Sequence, residues 1–207
     1  MQTNKLYSKF AFECRTGDLR EDARRFLVNN GHPVTASHCL MVGEEAKRLA
    51  VRFGANPQDA EIAGYLHDIS AVIPSENRIA AAHELGLPVL TEEESFPMII
   101  HQKLSEAMAH DLFDIENPDI LAAIGCHTTL RKRANLLDHV LFVADKIVWD
   151  QSGNPPYLAE ITQALKLGIQ NASYAYLDYL FRHREQMKVV HPWTREAYED
   201  LALSLKL

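Results

Sequence analysis

Residues 62–69 read Ile62-Ala63-Gly64-Tyr65-Leu66-His67-Asp68-Ile69. An apolar helical run ends there on a vicinal imidazole and carboxylate, a pairing suited to a hard-to-borderline metal, and the carboxylate has two oxygens with which to bridge two ions. The run begins at Asn56-Pro57, a cap followed by proline at the first helical position. Upstream, the next helix is expected to be capped by Thr35 or Ser37, with His38 near its start and Leu40, Met41, Ala46, Leu49 and Ala50 facing inward before Gly54. Downstream, helical spacing covers Met98 to Phe113, and Asn117-Pro118 repeats the cap-then-proline signal for a helix reaching about His127. Leu136 to Trp149 forms another helix.

The flanks read the same way. Asp18 to Asn30 is helical with Gly31 as a stop, Ser75 opens a helix ended by Gly86, Tyr157 to Met187 reads as one long helix, and Thr194 caps a short last one. Gln151-Ser-Gly-Asn-Pro-Pro156 is the strongest break and reads as an interhelix loop, because the segment after it is too short to bury a core alone. No segment alternates with a period of two, so no sheet of consequence is expected. The expectation is an all-α fold: an arm over residues 1–17, then one helical domain over 18–207 that includes the C-terminal helices.

Composition bounds the function. Hydrophobic residues make up 47% and charged residues 24%, which excludes a disordered or low-complexity chain. No apolar run approaches the ~18 residues needed to span a bilayer, and no secretory signal is visible. The net charge of -7 argues against a nucleic-acid duplex as partner, but allows one small anionic substrate in a locally basic pocket. Cys14, Cys39 and Cys126 form no CxxC pair, so a reducing, cytoplasmic setting is expected, without membrane association.

Ten histidines in 207 residues need sorting. His38, His67, His101 and His127 lie on or at the end of apolar helix faces, and Asp145 sits inside Leu141-Phe-Val-Ala-Asp-Lys-Ile, where a carboxylate is costly to bury unless paired or metal-bound. A helix bundle builds metal sites from such side chains on facing helices. His32, His83, His110, His183 and His191 are read as loop or surface residues, and His139 as a neighbour of Asp145 at most. Cys39 and Cys126 adjoin candidate ligands but point elsewhere and are read as core residues.

The order His38 … His67-Asp68 … Asp145 resembles the core signature of the HD-domain superfamily of metal-dependent phosphohydrolases. The chain is most similar to the YqeK-like group, which includes symmetrical diadenosine tetraphosphate hydrolases. His38-Cys-Leu-Met-Val-Gly-Glu-Glu-Ala, Ala63-Gly-Tyr-Leu-His-Asp-Ile-Ser, His127-Thr-Thr-Leu-Arg with Leu136-Leu-Asp-His-Val-Leu-Phe-Val-Ala-Asp-Lys-Ile, and His191-Pro-Trp-Thr-Arg-Glu-Ala carry the match. The resemblance implies an HD-domain helical bundle holding two divalent ions. His38, His67, Asp68 and Asp145 would hold one, and Asp68, His101 and His127 the other. Iron is the leading metal, with manganese, zinc, nickel, cobalt or magnesium as alternatives.

The implied reaction is attack of a metal-bridging hydroxide on a phosphoanhydride or phosphoester of a nucleotide or dinucleoside polyphosphate, with Asp68 and Arg131 as catalytic residues. Arg131, Lys103, Lys132 and Lys146 are the cations expected to meet the substrate. The chain departs from the group at Ala71, where lysine is usual, at Gln102, where a small residue is usual, at Leu130, where glycine is usual, and over Lys146-Ile-Val-Trp-Asp-Gln, where Tyr-Ile-Glu-Pro-Gly-Arg is usual. These departures keep open a non-hydrolytic nucleotide-binding or regulatory HD protein; the resemblance itself adds a di-iron oxygenase as a minor alternative, since some HD-domain proteins activate oxygen on a mixed-valent pair. Tyr174, Tyr176, Tyr179 and Phe181 lie too close together for one helix face, which offers a surface for a homodimer.

Overall fold

The computed structural model describes residues 5–12, 16–149 and 153–206; Cys14, Asp150 and Gln151 lie outside the described residues. Eleven α-helices and no strands are found among the described residues: α1 Leu19–Asn29, α2 Pro33–Phe53, α3 Pro57–Leu66, α4 Arg78–Glu84, α5 Thr91–Ser95, α6 His101–Phe113, α7 Pro118–Cys126, α8 Leu136–Ile147, α9 Leu158–Ala164, α10 Ile169–Arg182 and α11 Pro192–Ser204. The all-α expectation holds. No helix among the described residues is long and apolar enough to cross a membrane.

The helix starts follow the capping chemistry. Asp18 accepts from the amides of Arg20 and Glu21, Asn56 from Gln58 and Asp59, Asn117 from Asp119, and Asn135 from Asp138. α2 starts earlier than Thr35 or Ser37, because Pro33 sits at its first position and fixes the backbone for a helix. The long helix expected from Tyr157 breaks into α9 and α10 at Gly168. The last helix is capped by His191, whose Nδ1 accepts from the Trp193 amide at 3.2 Å, and not by Thr194, which is buried within the first turn. Residues 5–12 are not a loose arm: Leu6 and Tyr7 are buried, the Tyr7 hydroxyl donates to Asp111 at 2.8 Å, and the Phe12 ring meets Phe26 and Phe113 edge-on.

The core runs through the middle of the bundle. Leu49, Leu66, Ile69, Ile100, Leu104, Met108, Ile124, Leu141 and Phe142 are fully buried side chains from α2, α3, α6, α7, α8 and the loops between them. Burying each is worth about 1.5–3 kcal/mol against leaving it exposed. α2 lies closest to α3, and two glycines make this contact possible. A Cβ on Gly64 would stand 2.4 Å from the Cα of Gly43, and one on Gly43 would strike the Tyr65 ring at 2.5 Å. This approach brings His38 of α2 beside His67 at the end of α3; their ring centroids are 5.3 Å apart. The aromatic residues of α10 pack within the chain. Tyr176 meets Phe142 and Tyr157, while Tyr174 and Phe181 stack on Tyr198.

Candidate metal centre

The residues singled out from the sequence as metal ligands converge. His38 comes from the first third of α2, His67 and Asp68 from the end of α3, His101 from the first residue of α6, His127 from the end of α7, and Asp145 from the last turn of α8. His38 Nε2 lies 3.2 Å and His67 Nε2 3.5 Å from Asp145 Oδ1. The two oxygens of Asp68 divide between the groups. Oδ2 lies 3.6 Å from His67 Nε2, while Oδ1 lies 3.1 Å from His101 Nε2 and 3.5 Å from His127 Nε2. His38, His67 and Asp145 form one set able to hold an ion, and His67, Asp68 and His127 form another.

The local backbone fixes the tautomers. His67 Nδ1 donates to the Gly64 carbonyl at 2.8 Å, His127 Nδ1 to that of Ile124 at 2.8 Å, and His101 Nδ1 to that of Met98. Each imidazole thus spends its N–H on the carbonyl three residues earlier and turns the Nε2 lone pair inward, the arrangement by which a second partner orients a metal-binding histidine. His67 Nε2 is fully buried and has no hydrogen-bond partner. The Nε2 atoms of His101 and His127 face each other at 2.9 Å, although neither carries the proton that would join them. An orphaned buried nitrogen and two opposed lone pairs fit a cation. Imidazole nitrogens with carboxylate oxygens are the donors that suit iron, manganese, zinc and nickel.

The electrostatics agree. Burial works against the charge on Asp68, but the neighbouring His67 and the imidazoles of His101 and His127 that face it outweigh burial and hold the carboxyl well below the usual range. Asp145 is held low in the same way, against burial, by Lys146 and by His38 and His67. Burial pushes His127 down to about 4, so its imidazole is neutral near pH 7.

The expected cations are distributed differently. Lys146 stays at the cluster, where its ammonium binds Asp145 Oδ2, reaches the His127 carbonyl at 3.4 Å, and lies over the Phe142 and Tyr176 rings. Lys103 does not join it. One position differs in direction by about 100° from the next on a helix, and Lys103, two residues after His101, donates to Glu93 Oε2 at 2.8 Å and to the Pro88 carbonyl at 2.9 Å. Arg131 pairs with Asp138 Oδ2 at 2.8 Å and lines a separate cleft with Arg133, His139, Gln170 and Asp200. Lys132 is exposed on the intervening turn. Leu130, just before Arg131, has φ 57°, the left-handed conformation that favours glycine, which the resemblance expects there. His139 is also turned from Asp145, with Nδ1 3.0 Å from Ser173 Oγ.

Three features escaped sequence reasoning. Gln102 is fully buried, and its Oε1 accepts from the amides of Thr128 and Thr129 at 3.1 and 3.3 Å, which holds the turn after His127 against α6. The Thr128 hydroxyl lies 3.3 Å from His101 Nε2. Thr128 also borders a cleft of about 330 Å³ lined by Phe96, Ile99, Tyr176, Met187 and Lys188 among others. His191, read as a loop residue, is 2% exposed and lies 3.4 Å from Glu93 Oε1.

Residues 35–150 match the model of the HD domain. The chain is 44% identical over 142 residues to an uncharacterized protein encoded in the pepC 5′ region of Lactococcus lactis subsp. cremoris, covering 69% of this chain and 72% of that one. It is 33% identical over 112 residues to the symmetrical bis(5′-nucleosyl)-tetraphosphatase of Bacillus subtilis, covering 53% of this chain and 59% of the relative. A crystal structure described as that of a predicted HD superfamily hydrolase involved in NAD metabolism from Clostridium acetobutylicum superposes with a TM-score of 0.82 at 25% identity, covering 89% of this chain and 97% of that one. The matched segment starts just before His38 and ends just after Asp145, so it encloses every residue of the cluster, and the chain belongs to the HD domain family.

Proposed function

We propose that the protein is a metal-dependent phosphohydrolase that cleaves a phosphoanhydride or phosphoester of a nucleotide or dinucleoside polyphosphate. The observation that carries this is the cluster itself: the Nε2 atoms of His67, His101 and His127, with their Nδ1 protons already spent, turned toward two carboxylates that stay ionised. The names of the Bacillus subtilis and Clostridium acetobutylicum relatives support hydrolysis, and the former supports a dinucleoside polyphosphate.

His38, His67, Asp68 and Asp145 would hold one divalent ion, with His101 and His127 completing a second site through Asp68. Iron is the first choice, and the same donors suit manganese. When bound, such ions acidify a water and neutralise charge on phosphoryl oxygens. The chain's own residues supply the rest. Lys146 keeps Asp145 oriented and adds a fixed positive charge at the cluster. Thr128 offers a hydroxyl beside His101, and the cleft next to it has room for the organic part of a substrate, with the exposed Lys188 above the Phe96 ring at its wall. Displacement at phosphorus asks mainly for positioning and charge stabilisation, which this layout provides.

The test is hydrolysis by the purified, metal-loaded chain of nucleotides, dinucleoside polyphosphates and simple phosphoesters. Asp68→Ala is expected to abolish phosphate release and to lower metal content. Unchanged phosphate release in that variant would overturn the proposal.

A further inference from the structure

Among the described residues three Lys or Arg side chains are buried: Arg78 at 8% exposure, Lys103 at 5% and Lys146 at 9%. Two are answered by carboxylates, Lys103 by Glu93 and Lys146 by Asp145. Arg78 has no ion-pair partner among the described residues. Its Nε donates to the Ile73 carbonyl at a long 3.3 Å, and its Nη1 faces Met98 Sδ at 3.2 Å. A guanidinium carries five N–H donors and a thioether is a weak acceptor; no Arg78 nitrogen is an enclosed atom without a partner, so the remaining donors of the fork open outward, where a ligand can reach them. A buried charge without a counterion is costly to fold around.

Its location says what kind of partner is missing. Asp68 is the carboxylate whose charge reaches Arg78. The Ile73 carbonyl ties it to the stretch that follows Asp68, and Met98, whose sulfur it touches, gives its own carbonyl to His101. Residues 69–72 between Asp68 and Ile73 form a 3-10 turn that includes Ala71, where the resemblance expects a lysine. Arg78 therefore returns a positive charge to the stretch of chain from which one is absent, and does so with a fork that matches phosphate geometry.

We infer that Arg78 is a phosphate-anchoring residue, which binds an oxyanion of the substrate as it enters the metal cluster. This rests on the phosphohydrolase reading for the identity of the anion, and not for the unpaired guanidinium. The binding should be charge-assisted and worth roughly a 10- to 100-fold change in affinity.

The experiment uses the full manganese-loaded chain and inorganic phosphate as the probe, with binding followed by calorimetry and folding by thermal denaturation. Arg78→Met is expected to weaken phosphate binding by about 10-fold or more, to leave metal content unchanged, and to leave the metal-free melting temperature unchanged or raised, since it removes an uncompensated charge. Arg78→Lys keeps the charge but loses the fork, and should fall between the two. A structural role gives the opposite pattern: a lowered melting temperature, or a chain that does not fold, with phosphate affinity intact in Arg78→Lys. That pattern, or a wild type that does not bind phosphate, overturns the inference. If the wild type binds phosphate through Arg78 but hydrolyses no phosphate ester, the inference stands and the hydrolase reading fails. If it hydrolyses esters and Arg78→Met changes neither phosphate affinity nor KM, the inference alone fails.

Discussion

Replacing Lys103 by alanine should damage the fold and spare the substrate. Lys103 is 5% exposed and its ammonium pairs with Glu93 Oε2 at 2.8 Å, and Glu93 is fully buried. Removing one partner of a buried pair typically costs about 3–5 kcal/mol, because the other charge is left unanswered. The low end applies here. Glu93 keeps the Leu90 amide on Oε2 at 2.8 Å and His191 Nε2 3.4 Å from Oε1. For a chain of this size 1 kcal/mol is about 2–4 °C in Tm, so a loss of about 3 kcal/mol lowers it by roughly 10 °C. Burial, which favours the neutral form of Glu93, is at present outweighed by His191 and Lys103, which hold its carboxyl below the usual value. That stabilisation is present above the ordinary glutamate pKa and is lost as pH falls through the depressed one. Thermal denaturation from pH 4 to 8 reads both effects. The variant is expected to melt lower near neutral pH, with the gap closing in acid, and to keep the wild-type KM. The double variant Lys103→Met with Glu93→Gln should regain most of the loss, since neither charge remains. A Tm within about 2 °C of wild type combined with a raised KM would refute this reasoning and return Lys103 to the substrate.

Other outcomes follow from the same geometry. Gly64→Ala drives a Cβ onto the α2 backbone, and overpacking of this kind costs about 1–3 kcal/mol; because the Gly64 carbonyl orients His67, metal content measured by elemental analysis should fall with Tm. His139 is held down to about 4 by burial. The unfolded chain therefore binds a proton from about pH 6.5 downward that the folded one refuses, and stability falls with pH between about 6.5 and 4 by close to 3 kcal/mol; urea titrations of His139→Gln should lack that slope. Gln102→Leu frees the Thr128 and Thr129 amides and should lower kcat at near-normal metal content, whereas loss of metal would show that Gln102 supports His101 instead.

The proposed ligands were legible in the sequence only as a set: a lone histidine on an apolar helix face is ordinarily a core residue, but His38, the adjoining His67 and Asp68, His101, His127 and Asp145 follow one another in a helical, apolar context, and the fold brings them together. The cations were not. Nothing local in Glu76-Asn77-Arg78 marks an arginine for burial, since its burial depends on Met98 and Ile73 coming together through the fold. Lys103 was read from its distance to His101 alone, and its partner lies on α5, five residues with no apolar period of their own. Arg131 followed the family pattern, but its guanidinium is held by Asp138, seven residues later in the first turn of α8. The division between α9 and α10 was hidden because apolar residues continue through Leu165 and Leu167 up to Gly168.

The central claim is that these histidines and aspartates hold divalent ions. An anomalous-difference map from crystals of the manganese-loaded protein tests it directly. The expected result is density bounded by His38, His67 and Asp145 and a second peak against Asp68, His101 and His127, at about 2.0–2.2 Å from Nε2 atoms, the ordinary reach of a metal-bound imidazole. A cluster without anomalous density, or manganese bound only at surface carboxylates, would contradict the account.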